Sequence, residues 1–340
     1  MIAQVADSRA ADTWQALQPY LDRTLGCGRI LRLAPISEGQ SNPTYRLETE
    51  AGPYILRKQP PGRLLKSAHA VDREYRVMAA LSDTDVPVPR MVLYCADAAI
   101  LGTPFYLMEQ VAGRVFRASD LPEIPAAERA AYYRASAEAL ARLHRVDWAA
   151  IGLSDYGRPG NYYARQIARW TLQWRESRQR DLPAIERLIA WLPHNIPPSD
   201  DTAISHGDYK FDNLIFHPTE PRVVAIIDWE LSTLGHPLAD VAYSCIRWHV
   251  GPDIFGGLAG LDLAALQLPS EIDYVTAYRA LAGRADTVRP FHIAFAMFRL
   301  AVIMEGILQR ARQGNASNAD AHRVGLQSRI VADTAWALVA

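Results

Sequence analysis

Cysteine is scarce: Cys27, Cys95 and Cys245 are the only three in 340 residues, far apart and never in a CxxC pair. Neither a disulfide framework nor a zinc site follows from that spacing, and a reducing cytoplasm fits it best. Net charge is also nearly absent. Lys plus Arg number 36 against 37 Asp plus Glu, a formal charge of −1. No global field therefore draws the chain to nucleic acid or to an anionic membrane, and neither is expected as a partner. The opening MIAQVADSRAADTW lacks a basic segment followed by an apolar one, so no signal peptide is read there. The most apolar long stretch, 291–308, carries Arg299 and Glu305 inside it. Each is costly at a bilayer centre, so the expectation is a buried helix and no membrane span. There is no internal repeat, and no GxSxG, HExxH, GxGxxG or P-loop, which removes support for hydrolase, zincin, dinucleotide and Walker-type NTPase chemistry.

What is present suits a large folded protein. At 49% hydrophobic and 21% charged, the composition is that of a globular chain, and the length predicts two domains or one large two-lobed one. Trp14, Leu17, Leu21 and Leu25 have helical spacing before Gly26 and Gly28, which predicts a helix over 10–25. Three antiparallel strands are predicted over 30–33, 44–49 and 54–58, and the polar turn SEGQSN separates the first two. A helix follows over 67–81, with Val71, Tyr75, Met78 and Leu81 on one stripe and Glu74 among them, where an unpaired carboxylate would be expensive. Strand-like 91–94 and 105–108 close the β-rich part near residue 111. Helices are then predicted over 126–145, 162–180, 182–192, 273–281 and 290–313, around a small β island at 203–205, 214–216 and 223–227. A β-rich unit at 1–111 before a mainly helical unit at 112–340 is an α+β chain in the order of a two-lobed, kinase-like fold.

The most informative segment is ISHGDYKFDNLIF, 204–216, followed by VVAIIDWE, 223–230. Asp208 and Asn213 are five apart on a loop between short apolar strands, and Asp228 ends a third. Mg²⁺ on nucleotide phosphates takes a few hard oxygen ligands from rigid strand ends, while a further carboxylate orients the attacking hydroxyl. Asp228 and Asn213 suit the first task and Asp208 the second.

Together HGDYKFDN, IIDWE and GHPLADVAY resemble the aminoglycoside phosphotransferase and choline kinase group of the protein-kinase-like superfamily, over roughly 36–243. YILRKQPPG, DYGRPGNYYARQ and DWELSTLGHPLAD are similar to the kinase-like domain fused to certain acyl-CoA dehydrogenases. The resemblance implies ATP or GTP as co-substrate, Mg²⁺ as cofactor, and Asp208 as the catalytic base or hydroxyl-orienting residue. It implies Asn213 and Asp228 as metal ligands and Lys210 as a cation for developing γ-phosphate charge. Asp240 and His206 take structural roles behind the loop. For the α/β-phosphates, Arg57 and Lys58 are both candidates; register against the kinase VAIK pattern puts Arg57 in the phosphate position, braced by Glu74, with Lys58 on the opposite face of its strand. Ser41 and Asn42, in the polar turn, offer hydroxyl, amide or backbone N–H groups to phosphate. The backbone of Glu109 and Val111 is expected at an adenine edge.

A small-molecule acceptor is expected in preference to a protein, because between Asp228 and Asp240 there is neither DFG nor an APE-ended activation segment. From Arg158 to Arg180 six arginines face Glu176 alone. Arg165 and Arg169 beside Trp170 would suit an anionic hydroxyacid or hydroxyacyl-CoA and repel a polycation. The same pattern fits a helix with its tryptophans in the core and its arginines in water. The resemblance also implies a functional link to an acyl-CoA dehydrogenase. Two other readings remain: a nucleotide-binding pseudokinase or interaction module, and an aminoglycoside or amino-sugar kinase.

Overall fold

A computed structural model describes residues 15–36, 42–62, 70–313 and 320–340. The chain divides into two compact units. The first is Met1–Ala112 with Asp228–Glu230, and the second is Gly113–Ile227 with Leu231–Ala340.

The first unit is built on a five-stranded antiparallel sheet of order β1-β2-β3-β5-β4, from β1 (Ile30–Pro35), β2 (Thr44–Thr49), β3 (Gly52–Lys58), β4 (Met91–Cys95) and β5 (Phe105–Glu109). Period-two alternation gives the sheet two distinct faces. Leu47, Leu56, Phe105 and Leu107 pack on one side with Leu17 and Leu21 of helix α1 (Leu17–Thr24) and Leu101 of the short α3 (Ala98–Leu101). Arg57 and Tyr106, a register pair on β3 and β5, lie on the alternate positions and meet helix α2 (Val71–Leu81) at Glu74. Lys58 points the other way, its Nζ donating to the Leu101 carbonyl at 2.5 Å. Within this unit the two strands at 91–95 and 105–109 pair antiparallel, and the described part of the first helix begins at residue 15.

The second unit is mainly helical. Helices α4 (Ala126–Arg145), α5 (Tyr162–Ser177), α6 (Pro183–Trp191), α7 (Pro237–Cys245), α8 (Glu271–Ala282), α9 (Pro290–Arg312), α10 (Ala321–Leu326) and α11 (Ser328–Ala337) enclose two β-ribbons. In one, β6 (Ala203–Ser205) pairs with β9 (Thr233–Gly235); in the other, β7 (Leu214–Phe216) pairs with β8 (Val223–Ile226). Strand β9, Thr233-Leu234-Gly235, escapes sequence reading because a single apolar residue before a glycine forms no apolar run. The apolar helix α9 is long enough to cross a membrane by length and composition, yet sixteen of its residues are buried among α5, α7, α10 and α11. Its two interior charges, Arg299 and Glu305, have partners inside the protein. Glu305 accepts from Arg180 Nε at 2.9 Å and Ser328 Oγ at 2.5 Å, while the Arg299 guanidinium lies over Trp170 and Tyr243, 5.5 and 5.4 Å from the ring centroids. All three cysteines are free and buried.

Two buried histidines, His236 and His292, serve as helix-start acceptors. His236 Nδ1 accepts from the Leu238 N–H at 3.2 Å, and His292 Nδ1 from the Arg289 N–H at 2.9 Å. Burial, and for His292 the neighbouring His236 as well, lowers each ring to about 4. A proton on Nδ1 would remove the acceptor the helix start uses. Unfolded, the same rings titrate near the ordinary value of about 6.5. Their contribution is therefore intact above that value and is lost as pH falls from there towards 4. Across that window we expect stability to drop by a few kcal/mol, because each tenfold difference in proton affinity between the folded and unfolded chain is worth about 1.4 kcal/mol. Urea midpoints at pH 7.5 and pH 5 measure it: His292→Gln, which retains an acceptor, should narrow the difference, and equal midpoints for the wild type would mean that these rings protonate freely when folded.

Candidate active site

The loop that follows β6 is fixed from below by one carboxylate. Asp240, in the first turn of α7, accepts from Ser205 Oγ (3.0 Å), from the backbone N–H groups of His206 (2.7 Å) and Gly207 (2.8 Å), and from His144 Nε2 (3.2 Å). Burial alone would raise its pKa; His144 and the loop donors outweigh that and hold it below the ordinary range. Tyr278 completes the chain, its hydroxyl 2.7 Å from His144 Nδ1. Gly207 turns the loop at φ +84, and a Cβ there would sit 2.5 Å from the Leu231 carbonyl oxygen. Only glycine meets both requirements.

His206 is fully buried, with its Nδ1 accepting from the Asp208 N–H at 3.2 Å and its Nε2 lying 2.9 Å from the Ile227 carbonyl. One nitrogen must accept and the other donate, which assigns the neutral ring protonated on Nε2. It braces the loop. Asn213 Nδ2 donates to both the backbone carbonyl and Oδ2 of Asp208, each at 2.8 Å. That leaves its Oδ1 without a hydrogen-bond partner among the described residues. Lys210 Nζ lies 3.5 Å from Asp208 Oδ2 and 3.2 Å from Asp212 Oδ2. Burial pushes the Asp208 carboxyl up, but Lys210 and a hydrogen bond with Tyr243 outweigh it, so Asp208 sits below its usual value and is ionised at neutrality. The same carboxylates overcome the effect of burial on Lys210 and hold it well above its usual value.

In the first unit Arg57 is the hub of a charge cluster. Its Nε lies 2.9 Å from Glu74 Oε2, and its Nη2 lies 2.6 Å from Asp228 Oδ1 and 3.7 Å from Glu230 Oε2. Burial alone would lower Arg57; Glu74 and Asp228 reverse that and raise it. Burial raises Glu74, opposed by Arg57, by the Tyr106 hydroxyl at 3.0 Å and by Asn42 Nδ2 at 2.5 Å. Asp228 itself has φ +66, a left-handed backbone that Asp tolerates better than most residues.

The structure thus brings Asp208, Lys210, Asn213, His206 and Asp240 together in one unit, and Arg57, Glu74 and Asp228 together in the other. Asn42 differs from the expectation of a phosphate-facing amide: its side chain is buried and bonded to Glu74. Ser41 lies outside the described residues. Glu109 ends β5, with its N–H donated to the Arg90 carbonyl at 2.9 Å and its side chain accepting from the Arg90 N–H at 2.9 Å. Its N–H is therefore occupied, and Val111 has no backbone partner among the described residues. The basic helix also needs correction. Arg165 is used by the loop before it, donating to the carbonyls of Gly160 and of Arg158. Trp170 is buried and donates to Gln166 Oε1 at 3.1 Å. Arg169 alone of the three is exposed, its guanidinium over the Trp170 ring. Four contributors were not singled out from the sequence: Tyr243, Tyr106, His144 and Tyr278. Tyr243 had a signal available, since it stands one helical turn beyond Asp240 in GHPLADVAY.

Comparison with known proteins follows this geometry. The profile of the phosphotransferase enzyme family matches residues 32–283. The chain belongs to that family. It is 42% identical over 327 residues to mouse acyl-CoA dehydrogenase family member 10, covering 94% of this chain but 30% of that protein. It therefore spans roughly a third of the length of such curated relatives, at 30%, 38% and 40% for three of them. A Ralstonia eutropha crystal structure described as an aminoglycoside phosphotransferase superposes with TM-score 0.86 at 45% identity, over 95% of this chain and 97% of that one. The hygromycin B and ADP complex of aminoglycoside phosphotransferase APH(4)-Ia superposes with TM-score 0.63 at 14% identity, over 96% and 99%, a likeness of fold alone. The fold of this phosphotransferase-family chain is accordingly α+β and kinase-like, with a β-rich N-terminal unit and a mainly helical C-terminal one.

Asp240→Ala should cost roughly 3–5 kcal/mol of folding stability, the scale for leaving buried partners uncompensated. Ser205→Ala, which removes one of the four donors, should cost about 1 kcal/mol. Urea unfolding checks both, and a wild-type midpoint for Asp240→Ala would mean that the loop is anchored elsewhere.

Proposed function

We propose that the protein transfers the γ-phosphoryl group of ATP, or of GTP, to a hydroxyl of a small molecule, with an anionic hydroxyacid or hydroxyacyl-CoA as acceptor. The observation that carries this reading is the Asp208–Asn213 pair. The Asn213 amide nitrogen is committed to Asp208, so its oxygen is the atom left for a hard cation, while Asp208 stays ionised to receive a proton.

The roles follow from the donor chemistry. Asp208 orients the acceptor hydroxyl and takes its proton as the oxygen bonds to the γ-phosphorus and the bond to the β–γ bridging oxygen breaks, releasing the nucleoside diphosphate. Lys210 lies against Asp208 and offsets negative charge that develops on the transferred group. Asn213 Oδ1 and the Asp228 carboxylate would hold Mg²⁺, and one amide with one carboxylate fits an ion that takes its remaining oxygens from phosphates and water. Bound there, Mg²⁺ neutralises phosphate charge. Asp228 directly follows Ile227, whose N–H donates to the Asn213 carbonyl at 3.0 Å, so the two ligands stand on strand ends tied in sequence. Arg57, positioned by Glu74, takes the α/β-phosphates, and the Glu109 carbonyl and Val111 main chain take the adenine edge. Asp240 and His206 position the loop without touching substrate.

The pseudokinase reading is disfavoured because the base and metal positions are all filled. An aminoglycoside acceptor is supported by the names of solved neighbours and opposed by the cations Arg117, Lys210 and Arg247 around one cavity of the helical unit. The curated relatives support a functional link to an acyl-CoA dehydrogenase.

Calorimetry with ATP and GTP, each with and without Mg²⁺, tests the reading directly. Asp208→Asn should bind Mg-nucleotide as the wild type does yet lose about 10²-fold or more in transfer, the usual worth of a proton acceptor. Asp228→Asn should weaken only the Mg²⁺-dependent binding. Full transfer in the first variant, or unchanged Mg²⁺ dependence in the second, would remove that residue from its role.

A further inference from the structure

Arg247 belongs to the single 3-10 turn Ile246–Trp248 that follows α7. It is only 8% exposed. Its Nε donates to the Ser244 carbonyl at 2.8 Å, and its guanidinium carbon stands 4.2 Å from the centroid of the Phe211 ring. Ring faces satisfy the face of a guanidinium but not its N–H edge. Nη1 is buried with no hydrogen-bond partner, and among the described residues no carboxylate lies within 4.0 Å of Arg247. Its ring neighbours Tyr133, Phe211 and Trp248 are neutral, so the charge is left uncompensated; a buried cation in that state is costly, and an anion reaching the guanidinium would relieve the cost.

Arg247 also lines a cavity of about 100 Å³ in the helical unit, together with Arg117, Lys210, Asp212, Val250 and Phe255. Asp212 is already paired with Lys210 at 3.2 Å, so the wall is cationic on balance. Val250 and Phe255 supply an apolar side. Phe255 is 42% exposed and held at φ +52, a backbone region that is strained for a bulky residue. Such strain persists only where the surroundings enforce it, and here it keeps an aromatic ring at the cavity wall. Lys210, on the same wall, lies 3.5 Å from Asp208 Oδ2, which ties the cavity to the loop described above.

We propose that this cavity is the anion subsite for the acceptor: the Arg247 guanidinium receives a carboxylate or phosphate oxygen of a molecule whose aliphatic part lies against Val250 and Phe255. The inference rests on the phosphotransferase reading for the word acceptor, while the anion site itself is testable without it. Arg247 binds and selects; it takes no part in the proton or phosphoryl movements.

The test is calorimetric titration of the full chain with 5-hydroxypentanoate, 5-hydroxypentanamide and 5-hydroxypentanoyl-CoA, with and without ADP and Mg²⁺. A charged hydrogen bond to Arg247 should make the acid bind about tenfold or more tightly than the amide. Arg247→Met should remove that difference, Arg247→Lys should restore part of it, and both should leave Mg-ADP affinity unchanged. If the thioester is preferred and Arg247→Met abolishes the preference, the oxyanion is a phosphate of the CoA; if the acid is preferred, it is a carboxylate. Phe255→Ala should weaken acid and amide alike and leave their ratio intact, a readout that survives if Arg247→Met does not fold. Equal binding of acid and amide, with a thioester affinity indifferent to Arg247→Met, overturns the proposal. Failure of ADP to bind while the acid still discriminates would instead overturn the phosphotransferase reading and leave the anion site standing.

Discussion

Everything in the helical unit's candidate site depends on the Asp240 carboxylate. Four donors converge on its two oxygens, and three of them come from the consecutive residues Ser205, His206 and Gly207. A buried carboxylate is expensive by itself and becomes tolerable only when every lone pair is used. The arrangement fixes the backbone immediately before Asp208, so the carboxylate proposed as proton acceptor inherits its position from a buried one behind it. His206 adds the second constraint by joining the Asp208 N–H to the Ile227 carbonyl, the last residue before Asp228.

Much of this was legible in the sequence for a physical reason. Glu74 stood out because a carboxylate on an apolar helical stripe demands a partner; alternation along β3 pointed towards Arg57 over Lys58, and the structure decides between them. Asp208, Asn213 and Asp228 stood out as hard-oxygen donors at short strand ends. The β-ribbon from 214 to 226 showed itself through apolar runs bounded by a polar loop, whereas β9 holds one apolar residue, Leu234, and so no run.

What could not be read are choices made by three-dimensional packing. No linear signal says that the Asn42 amide turns inward to Glu74, or that Arg165 serves the carbonyls of a neighbouring loop. The arginine-rich helix α5 illustrates the limit: charge counting along it marked cations without saying which of them already had acceptors. The arginine with an unsatisfied edge, Arg247, lies in a stretch whose local composition gave no reason to single it out.

The chain as a whole is almost neutral, at −1, and that average hides how its charges are distributed. Around Arg57 one guanidinium is surrounded by the carboxylates of Glu74, Asp228 and Glu230, so opposite charges are gathered at one place instead of being spread over the surface. Such clustering acts locally, inside a protein with no long-range field to speak of. Small multivalent cations and their complexes would sense it only on close approach, through a Debye length of about 8 Å at physiological salt. Anything such a cluster recognised would therefore be met at short range, after encounter rather than by steering from a distance.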